Sequence, residues 1–135
     1  MRNDARKRRV SNIVFDSSVL LALLQKERTD APVPDLRWAV MSAVNVAEVW
    51  TKLSGYDEKA SASGEYLLKL LRGIEPFTEE QARLTGELQV QPGVKGLSLG
   101  DRACLALAIT VGAEVYTADR VWSRLELPCR IHLIR

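Results

Sequence analysis

Four carboxylic acids in this 135-residue chain stand in company that does not explain them. Asp16 interrupts the apolar run IVFDSSVLLALL, Glu48 lies in SAVNVAEVWTKL, Asp101 in GLSLGDRACLALA and Asp119 in VYTADRVW. A buried, unpaired carboxylate costs several kcal/mol, on the order of the whole stability margin of a small domain, so something must compensate for it. Taken singly, each acid has an ordinary reading. Asp16 and Asp119 would serve as helix N-caps. Ser98-x-x-Asp101 has the shape of a capping box, although that motif prefers Glu or Gln. Glu48 projects about 150° from the apolar stripe Val46, Val49, Trp50 and Leu53, which suits a solvated side chain. Taken together, carboxylates gathered at close range repel one another and take up protons unless a cation joins them. An all-oxygen set with no cysteine and one distant histidine suits Mg²⁺ or Mn²⁺ rather than zinc. Capping and coordination are compatible, because a helix N-terminus favours the anionic form of Asp101.

Whether the acids meet depends on the elements that carry them. Val10–Phe15 reads as a buried strand, followed by a helix through Gln25 capped by Ser17 or Ser18. Thr29–Asp35, with two prolines, reads as a loop. Trp38–Met41 is a second short strand, and Ser42 caps a helix through about Leu53, closed by Gly55. A helix over Glu58–Arg72 ends at Gly73. Ile74–Phe77 reads as a short strand that Pro76 confines to an edge or to a strand end. Thr78 caps a helix over Glu79–Leu88, and Gln91–Gly100 forms a glycine-containing loop. A strongly apolar helix over Leu99–Val111 stops at Gly112. Glu114–Thr117 is a strand, Arg120–Leu125 a short helix and Arg130–Ile134 a last strand. Strands alternating with helices predict an α/β fold, a parallel sheet covered on both faces, with its ligand cleft beyond the carboxyl ends of the strands. Asp16 and Asp119 each follow a strand and would stand at that edge.

Composition narrows the class. With 47% hydrophobic and 27% charged residues, the sequence is globular rather than disordered. No apolar run reaches the roughly 18 residues a membrane span needs. The basic start MRNDARKRRV lacks a following signal core, and Cys104 and Cys129 form neither a disulfide framework nor a metal spacing. A cytoplasmic location is expected. Cys104 reads as a small core residue. Net charge is +2, with the excess of bases concentrated in residues 1–9. That stretch reads as a flexible tail, either simply solvated or attracting nucleic acid, and residues 10–135 as a single domain.

At the four acids the sequence resembles the PIN-domain ribonucleases, in particular the VapC-type toxins of toxin–antitoxin pairs. The matching pieces are IVFDSSVLLALL, SAVNVAEVW, GLSLGDRACLALA and VYTADRVW, in the family's order and at similar separations, spanning residues 12–125. The resemblance implies a three-layer PIN-like α/β fold with a central parallel sheet of about five strands. It implies Asp16, Glu48, Asp101 and Asp119 as the acidic, catalytic metal site, but not which of them bind metal directly and which act through water or as general base; our own reading is Asp16 and Asp101 as direct ligands, with Glu48 and Asp119 contacting metal through water. Thr117, Ser18 and Asn45 resemble the polar residues that support such a site. The implied activity is Mg²⁺- or Mn²⁺-dependent endoribonuclease action, in which a metal-activated water hydrolyses RNA to 5′-phosphate and 3′-hydroxyl ends. The implied partners are an RNA substrate (tRNA, rRNA or mRNA), a cognate antitoxin laid along the cleft and a second copy in a homodimer. Lys52, Arg102 and Arg120 adjoin the acids and are candidates for holding RNA phosphates, with solvated surface bases as the plain alternative. The departures are the basic N-terminal extension and a cysteine after Asp101, neither of which touches the acids.

Two rivals remain. A PIN-fold module that binds RNA or protein without cleaving it would have no need of all four acids. A phosphoacceptor receiver domain would want an acid pair near the first strand and a lysine after a late strand; here Glu48 lies on a helix and no such lysine follows. His132 in the last strand reads as structural.

Overall fold

Short runs of branched and aromatic residues form five strands in a computed structural model, which describes residues 13–135. The strands are β1 (Ile13–Phe15), β2 (Val40–Ser42), β3 (Gly73–Glu75), β4 (Glu114–Thr117) and β5 (Ile131–Leu133). All pair in parallel, in the order β3-β2-β1-β4-β5. Successive strand side chains face opposite sides, and both sides are apolar. Phe15 and Met41 enter one core with Val19, Leu20, Val49, Leu53 and Leu68. Their strand neighbours Val14, Val40 and Val115 enter the other, with Leu105, Leu107 and Trp122.

The helices are α1 (Ser17–Leu24), α2 (Ala43–Leu53), α3 (Glu58–Leu70), α4 (Glu79–Glu87) and α5 (Leu99–Val111). The first three supply one apolar layer; α5, with the segment after α4, supplies the other. This is the three-layer α/β arrangement expected from the sequence. Side-chain caps start the helices at Asp16, Ser42, Asp57, Thr78 and Ser98, and Gly112, at φ 67°, closes α5 in the left-handed conformation.

Several boundaries differ from expectation for local reasons. The cap of α1 is Asp16 rather than Ser17 or Ser18, because its carboxylate accepts from Val19 N. Leu36–Trp38 is a 3-10 turn set by Asp35, so the second strand starts at Val40. The third helix stops at Leu70, and Gly73 opens a strand instead of ending the helix. Ser54, not Gly55, caps α2. Residues 120–124 form a 3-10 helix. The basic tail and the start of the first expected strand lie outside the described residues. As expected, β3 is an edge strand and Cys104 is buried in the core. His132 meets Glu114 Oε1 at 2.8 Å and stacks on Tyr116 at 4.6 Å, tying β5 to β4. No helix among the described residues is long and apolar enough to cross a membrane.

One close approach fixes how α2 and α3 pack. A Cβ on Gly64 would stand 3.2 Å from Leu53 Cγ and closer still to both of its methyls. Leu53 is almost fully buried and has no room to retreat. Gly64→Ala is therefore expected to destabilise the fold by about 1–3 kcal/mol despite the better helix propensity of alanine, read as a lower denaturant midpoint at unchanged slope.

Candidate acidic site

The carboxyl ends of β1 and β4 lie side by side, since these strands pair from Ile13↔Glu114 to Phe15↔Tyr116. The next residue of β1 is Asp16, whose N–H donates to Tyr116 O at 3.2 Å. The last residue of β4 is Thr117. Its buried hydroxyl donates to Asp16 Oδ2 at 2.9 Å and accepts from Asp119 N at 3.1 Å. Ser18 Oγ donates to Asp16 Oδ1 at 2.5 Å and accepts from Ala118 N at 2.9 Å. One carboxylate and two hydroxyls thus staple the β1–α1 and β4 turns together. Asp119 caps the following 3-10 helix through Val121 N at 3.0 Å.

The second pair of acids approaches from helices. Ser42 starts α2 at the end of β2, and Glu48 lies on its flank. Periodicity turned Glu48 away from the main apolar stripe, and it does leave that core; but the N-termini of α1 and α5 cover this side of α2. Glu48 is half-buried, and its Oε1 accepts from Ser17 Oγ at 3.2 Å and from Asn45 Nδ2 at 2.8 Å. Asn45 Nδ2 also donates to Gly100 O at 3.0 Å, which joins α2 to the first turn of α5. One residue further, Asp101 completes a capping box: its N–H donates to Ser98 Oγ and its Oδ2 accepts from Ser98 N, both at 3.1 Å. The capping shape read from the sequence is present, with Asp in place of the usual Glu.

Two of the four, Asp16 and Asp101, are shifted upward by their surroundings. Asp16 is 4% exposed, and burial pushes its carboxyl up to about 7, with the charge of Asp101 adding to the rise; the Ser18 and Thr117 hydroxyls pull it back only in part. Burial also raises Asp101, opposed by its bonds to Ser98, and the charges of Glu48 and Asp119 raise it further. Among the described residues none of the four forms an ion pair with Lys, Arg or His. The structure thus brings the four to one edge of the sheet, with Ser18, Asn45 and Thr117 among them.

The basic candidates fall differently. Lys52 and Arg120 are exposed, Arg120 standing 4.0 Å from Asp30. Arg102 is half-buried and donates to Thr85 O of α4 at 2.9 Å, with its Nε buried and unpartnered. Neighbourhood along the chain put Arg102 beside the acids; the fold uses it to brace α5 against α4. Sequence reasoning missed Ser17 and Gly100. Ser17 follows Asp16 directly and carries a hydroxyl, but only the tertiary fold brings Glu48 to it.

As donors, these groups match a hard divalent cation in kind: oxygen only, anionic, uncompensated by bases among the described residues and partly desolvated. As the side chains stand, no three acid, His or Cys groups among the described residues are disposed around one ion. The capping box holds one Asp101 oxygen back toward Ser98, and turning that side chain is a rotamer change rather than a change of fold.

Comparisons with known proteins agree with this fold. DNA-bound VapBC from Salmonella typhimurium superposes with a TM-score of 0.74 at 16% identity, over 93% of this chain and 99% of that one. VapC20 of Mycobacterium tuberculosis, a sarcin–ricin loop cleaving toxin, gives 0.65 at 19% identity over 87% and 98%. VapBC-5 of the same organism gives 0.65 at 21% identity over 92% and 98%. No curated protein matches the chain by sequence. The model of the PIN domain matches residues 13–127, the whole span from β1 past Asp119, and the chain belongs to that family.

Proposed function

We propose that the protein is a toxin-type endoribonuclease that uses a divalent cation, Mg²⁺ or Mn²⁺, to hydrolyse RNA. The observation that carries the reading is the set of four carboxylates at one sheet edge with no basic partner among the described residues, one of them raised to about 7 by burial. Asp16 and Asp101 would hold the cation directly, and Glu48 and Asp119 through water. When bound, the cation supplies positive charge for the phosphate and lowers the pKa of an attacking water. Thr117 and Ser18 keep Asp16 aimed by donating to both of its oxygens. Asp119 is held at the mouth by its cap on Val121 N. Lys52, exposed, and Arg120, exposed and 4.0 Å from Asp30, would meet phosphates along the substrate, whereas Arg102 would first have to leave Thr85. The expected products carry 5′-phosphate and 3′-hydroxyl ends.

The solved relatives of the same fold include toxin–antitoxin complexes, which supports a cognate antitoxin as partner. A groove of about 500 Å³ between α1 and α3, lined by Leu23, Leu24, Tyr66 and Leu67 with Lys26 and Lys59 at its rim, offers an apolar seat for such a segment. A homodimer and a cytoplasmic site of action complete the reading.

Purified protein is expected to shorten single-stranded RNA with Mg²⁺ or Mn²⁺ and to stop in EDTA. Asp101→Asn is expected to reduce the rate at least about 100-fold, the scale on which a lost catalytic electrostatic contact is felt. Cleavage that persists in EDTA, or full activity in Asp101→Asn, would refute the metal site. Binding of RNA with no cleavage under any divalent cation would favour a silent binding module. Two features lean that way: the Asp101 carboxylate is folded into its capping box, and no three acid, His or Cys groups among the described residues are disposed around one ion.

A further inference from the structure

Asn45 is 1% exposed, yet it is polar and incompletely satisfied. Its Nδ2 spends both hydrogens, on Glu48 Oε1 and on Gly100 O, and its Oδ1 is buried without a partner among the described residues. Turning the amide over would set Oδ1 against a carboxylate and a carbonyl, acceptor against acceptor, so this orientation is fixed. An unpartnered buried oxygen keeps its full desolvation cost, and an apolar side chain of similar volume would fill the space without that cost. Packing therefore does not account for asparagine here; the two bonds it donates do. Ser17 Oγ donates to the same Glu48 oxygen. Oε1 thus accepts twice, while Oε2 accepts from no group among the described residues. The far wall is Gly100: a Cβ there would stand 2.7 Å from Oε1 and closer to Oε2.

We propose that Ser17 and Asn45 are positioning residues that hold Glu48 by Oε1 while its carboxylate lies on the bare backbone of Gly100, leaving Oε2, which accepts from no group among the described residues, for the divalent cation or its water. This rests on the function proposed above and deepens it. Neither residue touches substrate. Both act through Glu48, and Asn45 also sets how closely the Asp101-bearing end of α5 approaches α2.

Binding of Mn²⁺ to the whole protein, measured by calorimetry and by the rise in melting temperature it causes, tests the cradle apart from catalysis. Asn45→Ala is expected to weaken Mn²⁺ binding by about 10–100-fold, as loss of a group orienting a metal ligand usually does, and Ser17→Ala by a few-fold. In a Glu48→Gln background, Asn45→Ala is expected to add little further loss, because the carboxylate it positions is gone. Equal losses with and without the Glu48 carboxylate would reduce Asn45 to a packing residue and overturn the proposal, as would unchanged binding in both variants. Should Asn45→Ala fail to fold, the half-buried Ser17 carries the same cycle. A wild-type protein that neither binds Mn²⁺ nor cleaves RNA defeats the proposed function and this inference with it. Wild-type binding and cleavage with indifferent variants defeat the inference alone.

Discussion

Asp16→Asn is expected to raise the melting temperature of the metal-free protein at pH 8 by roughly 5–15 °C while abolishing RNA cleavage. The gain follows from where Asp16 sits. Its carboxyl is buried and pushed up to about 7 from 3.8, so at pH 8 the folded protein ionises a group that its surroundings would keep neutral. Below pH 3.8 the acid is protonated in both folded and unfolded chains and the penalty vanishes. Between 3.8 and about 7 the folded chain retains a proton that the unfolded chain has lost, so stability falls as pH rises. Above about 7 both forms are ionised and the penalty stays constant, at about 4 kcal/mol. Asparagine removes the charge but cannot accept from both hydroxyls, which returns about 1 kcal/mol of the gain. Thermal melts in EDTA from pH 4 to pH 9 should show the variant no more stable than wild type at pH 4, with the gap opening to a plateau above pH 7. A gap that does not change with pH would mean that Asp16 carries no uncompensated charge. Added Mg²⁺ should stabilise the wild type and leave the variant nearly unmoved, because a cation binding only the folded state adds its binding free energy to stability.

The same acid shows what the sequence discloses and what it hides. The oddity of IVFDSSVLLALL is local, so Asp16 is visible as soon as the run is read. Thr117 and Asp119 become visible once VYT is recognised as a strand, since the edge of a parallel sheet is where strand ends collect. The run from Leu99 to Val111, stopped by Gly112, predicts its helix with the observed ends, because apolar content, an N-cap and a left-handed glycine agree there. Glu48 is different. Periodicity assigns α2 one buried face, but this helix is covered on a second side by the N-termini of α1 and α5, and that side holds the polar cradle. Long-range contacts between elements distant in sequence leave no periodic trace. The same gap explains Arg102, whose neighbour in sequence is an acid but whose neighbour in space is the Thr85 carbonyl.

Gly100→Ala should separate stability from activity most sharply. Gly100 is buried in the first turn of α5, and its backbone is helical, so no left-handed conformation requires a glycine there. What requires it is space. An added Cβ would overlap the Glu48 carboxylate, all three of whose terminal atoms lie inside contact distance. That carboxylate is the far end of a flexible side chain and can swing away, unlike Leu53 against Gly64, which is locked in the core. Swinging away breaks the Ser17 and Asn45 bonds, about 1 kcal/mol each, while alanine in a helix returns up to about 1 kcal/mol. Net stability should therefore change by less than about 2 kcal/mol, and the fold should survive. Cleavage, by contrast, should fall at least about 100-fold, because a reacting group displaced by about an ångström costs that much. Combining the variant with Glu48→Gln distinguishes a displaced carboxylate from a shifted helix. If only the carboxylate matters, the double variant is no slower than the slower single one. If α5 has moved and taken Asp101 with it, the losses multiply. Full cleavage in Gly100→Ala would mean that Glu48 is not needed in its observed pose, and the cradle that Ser17 and Asn45 build around it would lose its purpose.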